Sequence, residues 1–202
     1  MSNITHLAML AVFSGLSVNL ILQLGLGIKK ITIPGDFAFS VKTDKRRFFA
    51  ELAVFFITVT LLWLFFSLVR SVLFLGFLEY MLVFPVSLLT YCILEYLADK
   101  FLLKRDFNIE EAIFFGGTLS GAALFISLHI AGGFLEAVIL SAGYAAGIAF
   151  ALIIINEIRK RSEMEAVPKY LRGGPLVIIT MGLLSLIFSA AAILLYQVLG
   201  QK

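Results

Sequence analysis

The chain has 202 residues, 61% of them hydrophobic and only 14% charged, with a mean hydropathy of +1.04. Soluble domains carry about a quarter charged residues, so this much apolar surface has no place in one water-soluble core and is accommodated by lipid. The net charge of +3 is spread between apolar runs, which argues for membrane orientation and against nucleic acid, and the single cysteine, Cys92, excludes an intrachain disulfide and a four-cysteine zinc site.

A membrane-spanning helix needs about 20 consecutive apolar residues. Six runs meet this: residues 4–28, 48–68, 72–94, 112–131, 134–158 and 175–199. Helices are expected throughout, because hydrocarbon offers no partner for unpaired backbone groups. The alternating pattern of a membrane β-barrel is absent from the sequence. The first run follows Met1–Ser2–Asn3, which has no basic stretch, and is therefore expected to stay as a span and not to be a cleaved leader. A polar stretch at 29–47 with the turn signal Pro34–Gly35 follows it. Only Val69, Arg70 and Ser71 separate the second run from the third, predicting a tight hairpin. A charged segment at 99–111 leads into the fourth run, Gly132–Gly133 joins the fourth to the fifth, and a second polar stretch at 159–174 precedes the last. No separate soluble domain fits between them.

Basic residues divide sharply among these connections. Lys29, Lys30, Lys42, Lys45, Arg46 and Arg47 follow the first run; Lys100, Lys104 and Arg105 follow the third; Arg159, Lys160, Arg161, Lys169 and Arg172 follow the fifth. Of the 16 Lys and Arg, only Arg70 and Lys202 fall on the opposite side. The positive-inside rule then predicts an inner-membrane, multi-pass protein with those three loops cytoplasmic and both termini outside.

The fold class expected is an all-α membrane domain. Its six helices form two three-helix repeats, residues 1–98 and 99–202. An odd number of helices per repeat inverts the second copy. Inverted repeats place their working site near the midplane, commonly at interrupted helices. The expected interruptions are Gly25–Leu26–Gly27 in the first helix and Gly116–Gly117–Thr118 in the fourth. Two readings of these glycines stay open: a break in the helix, or close helix packing.

Polar residues inside the apolar runs are the candidates for chemistry. Asn19 and Gln23 are four apart and share a helix face. With Gly25, Gly27, Gly116, Gly117, Thr118 and Ser120 they make up the candidate midplane site, the competing role being hydrogen bonds that hold helices together. Glu79, Glu95 and Glu136 lie towards helix ends, where headgroup-level solvation is expected; Glu79 is the best of them as an ion or proton ligand. His129 closes the fourth helix. Cys92 reads as a small hydrophobe, with no metal assigned to it. Hydrolase triads, phosphate-binding loops, dinucleotide fingerprints and zinc-protease motifs are absent from the sequence.

The C-terminal part carries a longer pattern. Arg159–Lys160–Arg161, Ala166–Val167–Pro168, Leu171–Arg172–Gly173 and the run from Ile178 through Thr180, Met181 and Gly182 to Leu186 occur in an order and spacing that resemble one family. That family contains the A subunit of the Rnf complex and the E subunit of the sodium-pumping Nqr complex. The stretch from Phe134–Leu135–Glu136 onward, Leu94–Glu95 followed by Asp99–Lys100–Phe101, and Asn19 through Gly25 resemble it as well. The resemblance implies a pseudo-symmetric heterodimer with a sister membrane subunit, flanked by flavin and iron–sulfur subunits. It also implies a two-iron, two-sulfur cluster held by two cysteines from each sister. Here Gly27 stands where the family has its first cysteine, and the stretch from Gly116 through Thr118 to Ser120, where the second falls, holds none. The resemblance therefore implies an electron-transport subunit in a scaffold or ion-path role, with no cluster of its own. The alternative expectation is a small inverted-repeat transporter or channel subunit for an ion or solute.

Overall fold

A computed structural model of the chain describes residues 3–22, 45–72, 77–103, 109, 112–164, 168 and 174–200. Every element among the described residues is helical. Helix α1 (Asn3–Val12) runs on into a π-helical turn, Phe13–Ser17. Helices α2 (Lys45–Val72) and α3 (Phe77–Ala98) form the hairpin, and α3 ends in a π-helical turn, Asp99–Leu103. A further π-helical turn, Ala112–Gly117, leads into α4 (Thr118–Ile130); α5 (Phe134–Met164) and α6 (Gly174–Gly200) complete the chain.

Four of these helices carry apolar windows long enough to cross a membrane: Phe48–Arg70, Met81–Phe101, Phe134–Ile158 and Pro175–Leu195. This points to a multi-pass membrane protein. The two remaining apolar helices, Thr5–Ser17 and Thr118–Ile130, are shorter. At 1.5 Å rise per residue each covers about 20 Å, against about 30 Å of hydrocarbon. Of the six predicted spans, then, the first of each proposed half is the short one.

Several boundaries differ from those the sequence suggested. The first helix does not continue to residue 28. The backbone leaves helical geometry at Val18 (φ −115°, ψ 61°), whose N–H donates to the Phe13 carbonyl and closes the π turn. The Asn19 side chain then takes over the following backbone donors, which is how Asn competes with a helical ladder. The hairpin also falls later than Val69–Ser71. Nothing in that stretch breaks a helix, and Arg70 sits exposed in the last turn of α2, where a cation suits the carbonyl end of the helix. The Gly116–Gly117–Thr118 stretch holds no gap; there the chain passes from π-helical to α-helical winding.

Helix α5 is the central element, with 50% of its apolar window buried, whereas α6 has only 22% buried and lies at the periphery. Helix α5 packs on α1 and its π turn; α2 packs on α3, α4 and α5; α3 packs on α4 and the π turn before it; α6 packs on α1 and its π turn. One core joins these layers, from Leu20 and Ile21 through Phe55 and Val59 to Leu119, Leu140, Tyr144 and Ile155. A smaller cluster of Leu62, Trp63, Phe66, Val83, Leu124 and Ala137 lies towards the end where α4 meets α5. Outward faces are apolar too: Leu183, Leu186 and Leu194 are 57–70% exposed. Such faces suit lipid and not water.

Four of the buried hydroxyls bond back to a carbonyl of the preceding turn. Thr58 donates to the Val54 carbonyl at 2.7 Å, Ser141 to Ala137 at 2.7 Å, Ser120 to Gly117 at 3.0 Å and Ser87 to Phe84 at 2.9 Å. Returning the O–H to a carbonyl three or four residues back lets a polar side chain sit in an apolar layer without an unmet donor. Ser87 lies two residues past Pro85, the proline inside α3, which lacks an N–H for the ladder.

Candidate functional site

The best-defined polar centre is Asn19, which is 1% exposed. Its Nδ2 donates to the Gly147 carbonyl on α5 at 2.8 Å and lies 3.4 Å from the Gly15 carbonyl. Its Oδ1 accepts from the Ile21 and Leu22 backbone N–H groups at 3.2 and 3.3 Å. One carboxamide thus satisfies the non-helical backbone after the π turn and ties it to α5. Replacing Asn19 with Ala leaves the Gly147 carbonyl and two buried N–H groups without this partner; the expected cost is about 2 kcal/mol. A denaturant titration of the purified protein in detergent checks this. Asn19→Asp sets a carboxyl against the Gly15 and Gly147 carbonyl oxygens in a buried site and should cost at least as much as Asn19→Ala.

The Asn19–Gly147 bond is short because the helices meet almost without side chains. A Cβ on Gly147 would run into the Gly15 carbonyl oxygen, and one on Gly143 would run into the Ser14 hydroxyl. One on Gly15 would stand 3.2 Å from the Gly143 carbonyl oxygen. Gly143 and Gly147 are four apart on one face of α5, the spacing that lets membrane helices approach backbone to backbone. The candidate list from the sequence omitted both. The signal was present in Gly143–Tyr144–Ala145–Ala146–Gly147.

The second glycine cluster faces a different neighbour. A Cβ on Gly116 would collide with the Tyr91 ring of α3, which is 2% exposed. On Gly117 it would meet Leu88 at 3.2 Å, and on Gly121 the Ser87 hydroxyl at 2.9 Å. The predicted midplane residues therefore divide. Asn19 is anchored on α5, while Gly116 and Gly117 pack on α3. Ser120 is fully buried and bonded within α4, and Thr118 opens α4. Gln23, Gly25 and Gly27 lie outside the described residues.

The carboxylates do not share one environment. Glu95, expected at headgroup level, is only 7% exposed, and Glu51 on α2, which the sequence reading passed over, is 8% exposed. Both sit on the α2–α3 hairpin, towards the ends away from its turn. Glu51 lies three residues inside the second apolar run, just after the basic run Lys45–Arg46–Arg47, and was not singled out there. Glu136 is partly exposed; its Oε2 accepts the Gly132 N–H at 2.8 Å, and its Oε1 lies 3.6 Å from His6 Nδ1. Glu79 lies in α3, with its side chain outside the described residues. His129 is exposed, its Nδ1 2.8 Å from the Phe125 carbonyl oxygen.

The donor set does not fit a two-iron, two-sulfur cluster. Such clusters are held by thiolates, and the chain has one cysteine, Cys92, half-buried in α3. Near Gly116 the space is filled by the Tyr91 ring, and the Ser120 hydroxyl is committed to Gly117. Among the described residues no group of three His, Cys, Asp or Glu side chains is placed to hold a metal ion.

No protein-family model matches the chain, and no curated protein matches it.

Proposed function

We propose that the chain is an integral membrane subunit of an Rnf/Nqr-like ion-translocating electron-transport complex, supporting redox partners or lining an ion path without a cluster of its own. The observation that carries this reading is the likeness of the two short helices. The first helix of each proposed half has a 13-residue apolar stretch, with a π-helical turn at its end in the first half and just before its start in the second, and each packs on helices of the other half. Helix α1 lies on α5 and α6, and α4 lies on α2 and α3. Those pairs exchange when the first three helices are swapped with the last three, as an inverted repeat of residues 1–98 and 99–202 requires. Unusually short or interrupted segments in corresponding positions of the two halves are where such proteins build midplane sites. The basic turn, the Val167–Pro168 and Arg172–Gly173 pairs and the Ile178–Leu186 run add the motif resemblance.

In this reading the three basic loops face the cytoplasm and both termini face outside. The sister subunit completes a pseudo-symmetric heterodimer, and flavin and iron–sulfur subunits carry the electrons. The residues of this chain contribute a rigid seam at Asn19 and Gly147 and a polar backbone segment at Val18–Leu22 beside it.

Affinity purification of the tagged chain from its native membrane, under reducing anaerobic conditions, tests the reading. The expected result is co-purification with membrane partners bearing flavin and iron–sulfur centres. Their iron content and paramagnetic signals should be unchanged in Cys92→Ala. Purification alone, or with partners lacking any redox group, sinks the electron-transport assignment and favours the transporter alternative.

A further inference from the structure

The end of the molecule where α1 begins, α4 stops and α5 starts carries a second feature. Glu136 clasps three elements there: its own helix, the Gly132 backbone at the end of α4, and His6 of α1. Beside it opens a cleft of about 350 Å³ lined by His6, Leu7, Gly133, Phe134, Leu135 and Glu136. A smaller groove of about 190 Å³, almost wholly apolar, continues from His6 along Met9, Leu10 and Phe13 against Ile130. His6 lines both, so the cleft and the groove adjoin at its side chain and together form an amphipathic surface site.

We propose that this site binds one phospholipid with a primary-amine headgroup, such as phosphatidylethanolamine. The Glu136 carboxylate takes the ammonium through charge-assisted hydrogen bonds. His6 lies on the phosphate side. In its protonated form His6 donates from both ring nitrogens, one towards Glu136 and one towards the phosphate. The start of an acyl chain lies in the groove over Met9, Leu10 and Phe13 and meets Ile130. Charge complementarity selects this occupant: the cleft offers one acidic and one basic group side by side, the mirror of a zwitterionic headgroup. A purely anionic lipid would face Glu136 without compensation, and a quaternary ammonium has no N–H to donate to it. The space is open by construction, since a Cβ on Gly133 would meet nothing within 4 Å. The inference rests on the chain lying in a membrane and is independent of the redox reading.

The full chain, purified in mild detergent and stripped of lipid, is incubated with equal amounts of dioleoyl phosphatidylethanolamine, phosphatidylcholine and phosphatidylglycerol. Retained lipid is then read by native mass spectrometry. The expected result is one bound phosphatidylethanolamine, preferred over phosphatidylcholine by about tenfold, the worth of one charge-assisted hydrogen bond. Glu136→Gln keeps an oxygen for the Gly132 N–H and removes the charge. Gly133→Leu adds bulk in the cleft at a position where a Cβ meets nothing within 4 Å. Both should abolish the preference while leaving the helical circular dichroism unchanged. Equal retention of the two choline and ethanolamine lipids, a preference for phosphatidylglycerol, or a preference that survives both variants overturns the proposal.

Discussion

Gly147→Ala is expected to be the most damaging glycine-to-alanine change among the described residues, lowering stability by about 3 kcal/mol. The added Cβ points at the Gly15 carbonyl oxygen, which is backbone. No rotamer change relieves that contact; the start of the chain must move off α5 as a unit. As it moves, the 2.8 Å bond from Asn19 to the Gly147 carbonyl stretches, and a buried donor and acceptor are left without each other. Overpacking and the lost bond therefore add. Unfolding in a denaturing detergent, followed by circular dichroism, reads the loss. Because the bond is already broken in Gly147→Ala, the double variant with Asn19→Ala should cost less than the two singles together. Full additivity would show that Asn19 does not act through Gly147.

Gly116→Ala comes next, at about 2–3 kcal/mol, and differs in kind. Its obstacle is the buried Tyr91 ring, a side chain that can be removed. Tyr91→Leu opens a cavity and is destabilising by itself. In the Tyr91→Leu background, however, Gly116→Ala should be close to neutral, because the methyl enters space the ring has vacated. The same unfolding assay on the four proteins of this cycle checks it. A Gly116→Ala penalty unchanged by Tyr91→Leu would mean that the glycine is required for backbone conformation and not for room.

Much of this architecture was legible in the sequence, for a physical reason. Lipid demands long apolar runs, so α2, α5 and α6 stood out, and Phe134 marked the start of α5 to the residue. What hydropathy could not reveal was where a run stops being helical. Residues 4–28 look uniform on an apolar scale, yet the helix departs at Val18 because the Asn19 side chain competes for the backbone donors. The α2–α3 turn was misplaced for the converse reason: Arg70 looked like a loop residue but ends a helix exposed. At the candidate site, Asn19 and Gly116 were visible as costly or unusual residues in apolar surroundings. Their partners, Gly147 and Tyr91, are 128 and 25 positions away and emerged only from packing. Glu95 and Glu51 were hidden by their nearness to basic loops, since sequence position reports distance from a helix end and not what packs over it.

The two seams differ in mechanical character. Between α1 and α5 the contact is main chain against main chain, with no torsion angle free to absorb a displacement; those two segments are pinned and can only travel together. Between α3 and the start of α4 the contact runs through the Tyr91 ring, Leu88 and the proline-bearing turn at Phe84–Ser87, all of which can yield by degrees. Any relative motion across these two seams is therefore lopsided: one side of the bundle acts as the axle and the other as the bearing surface.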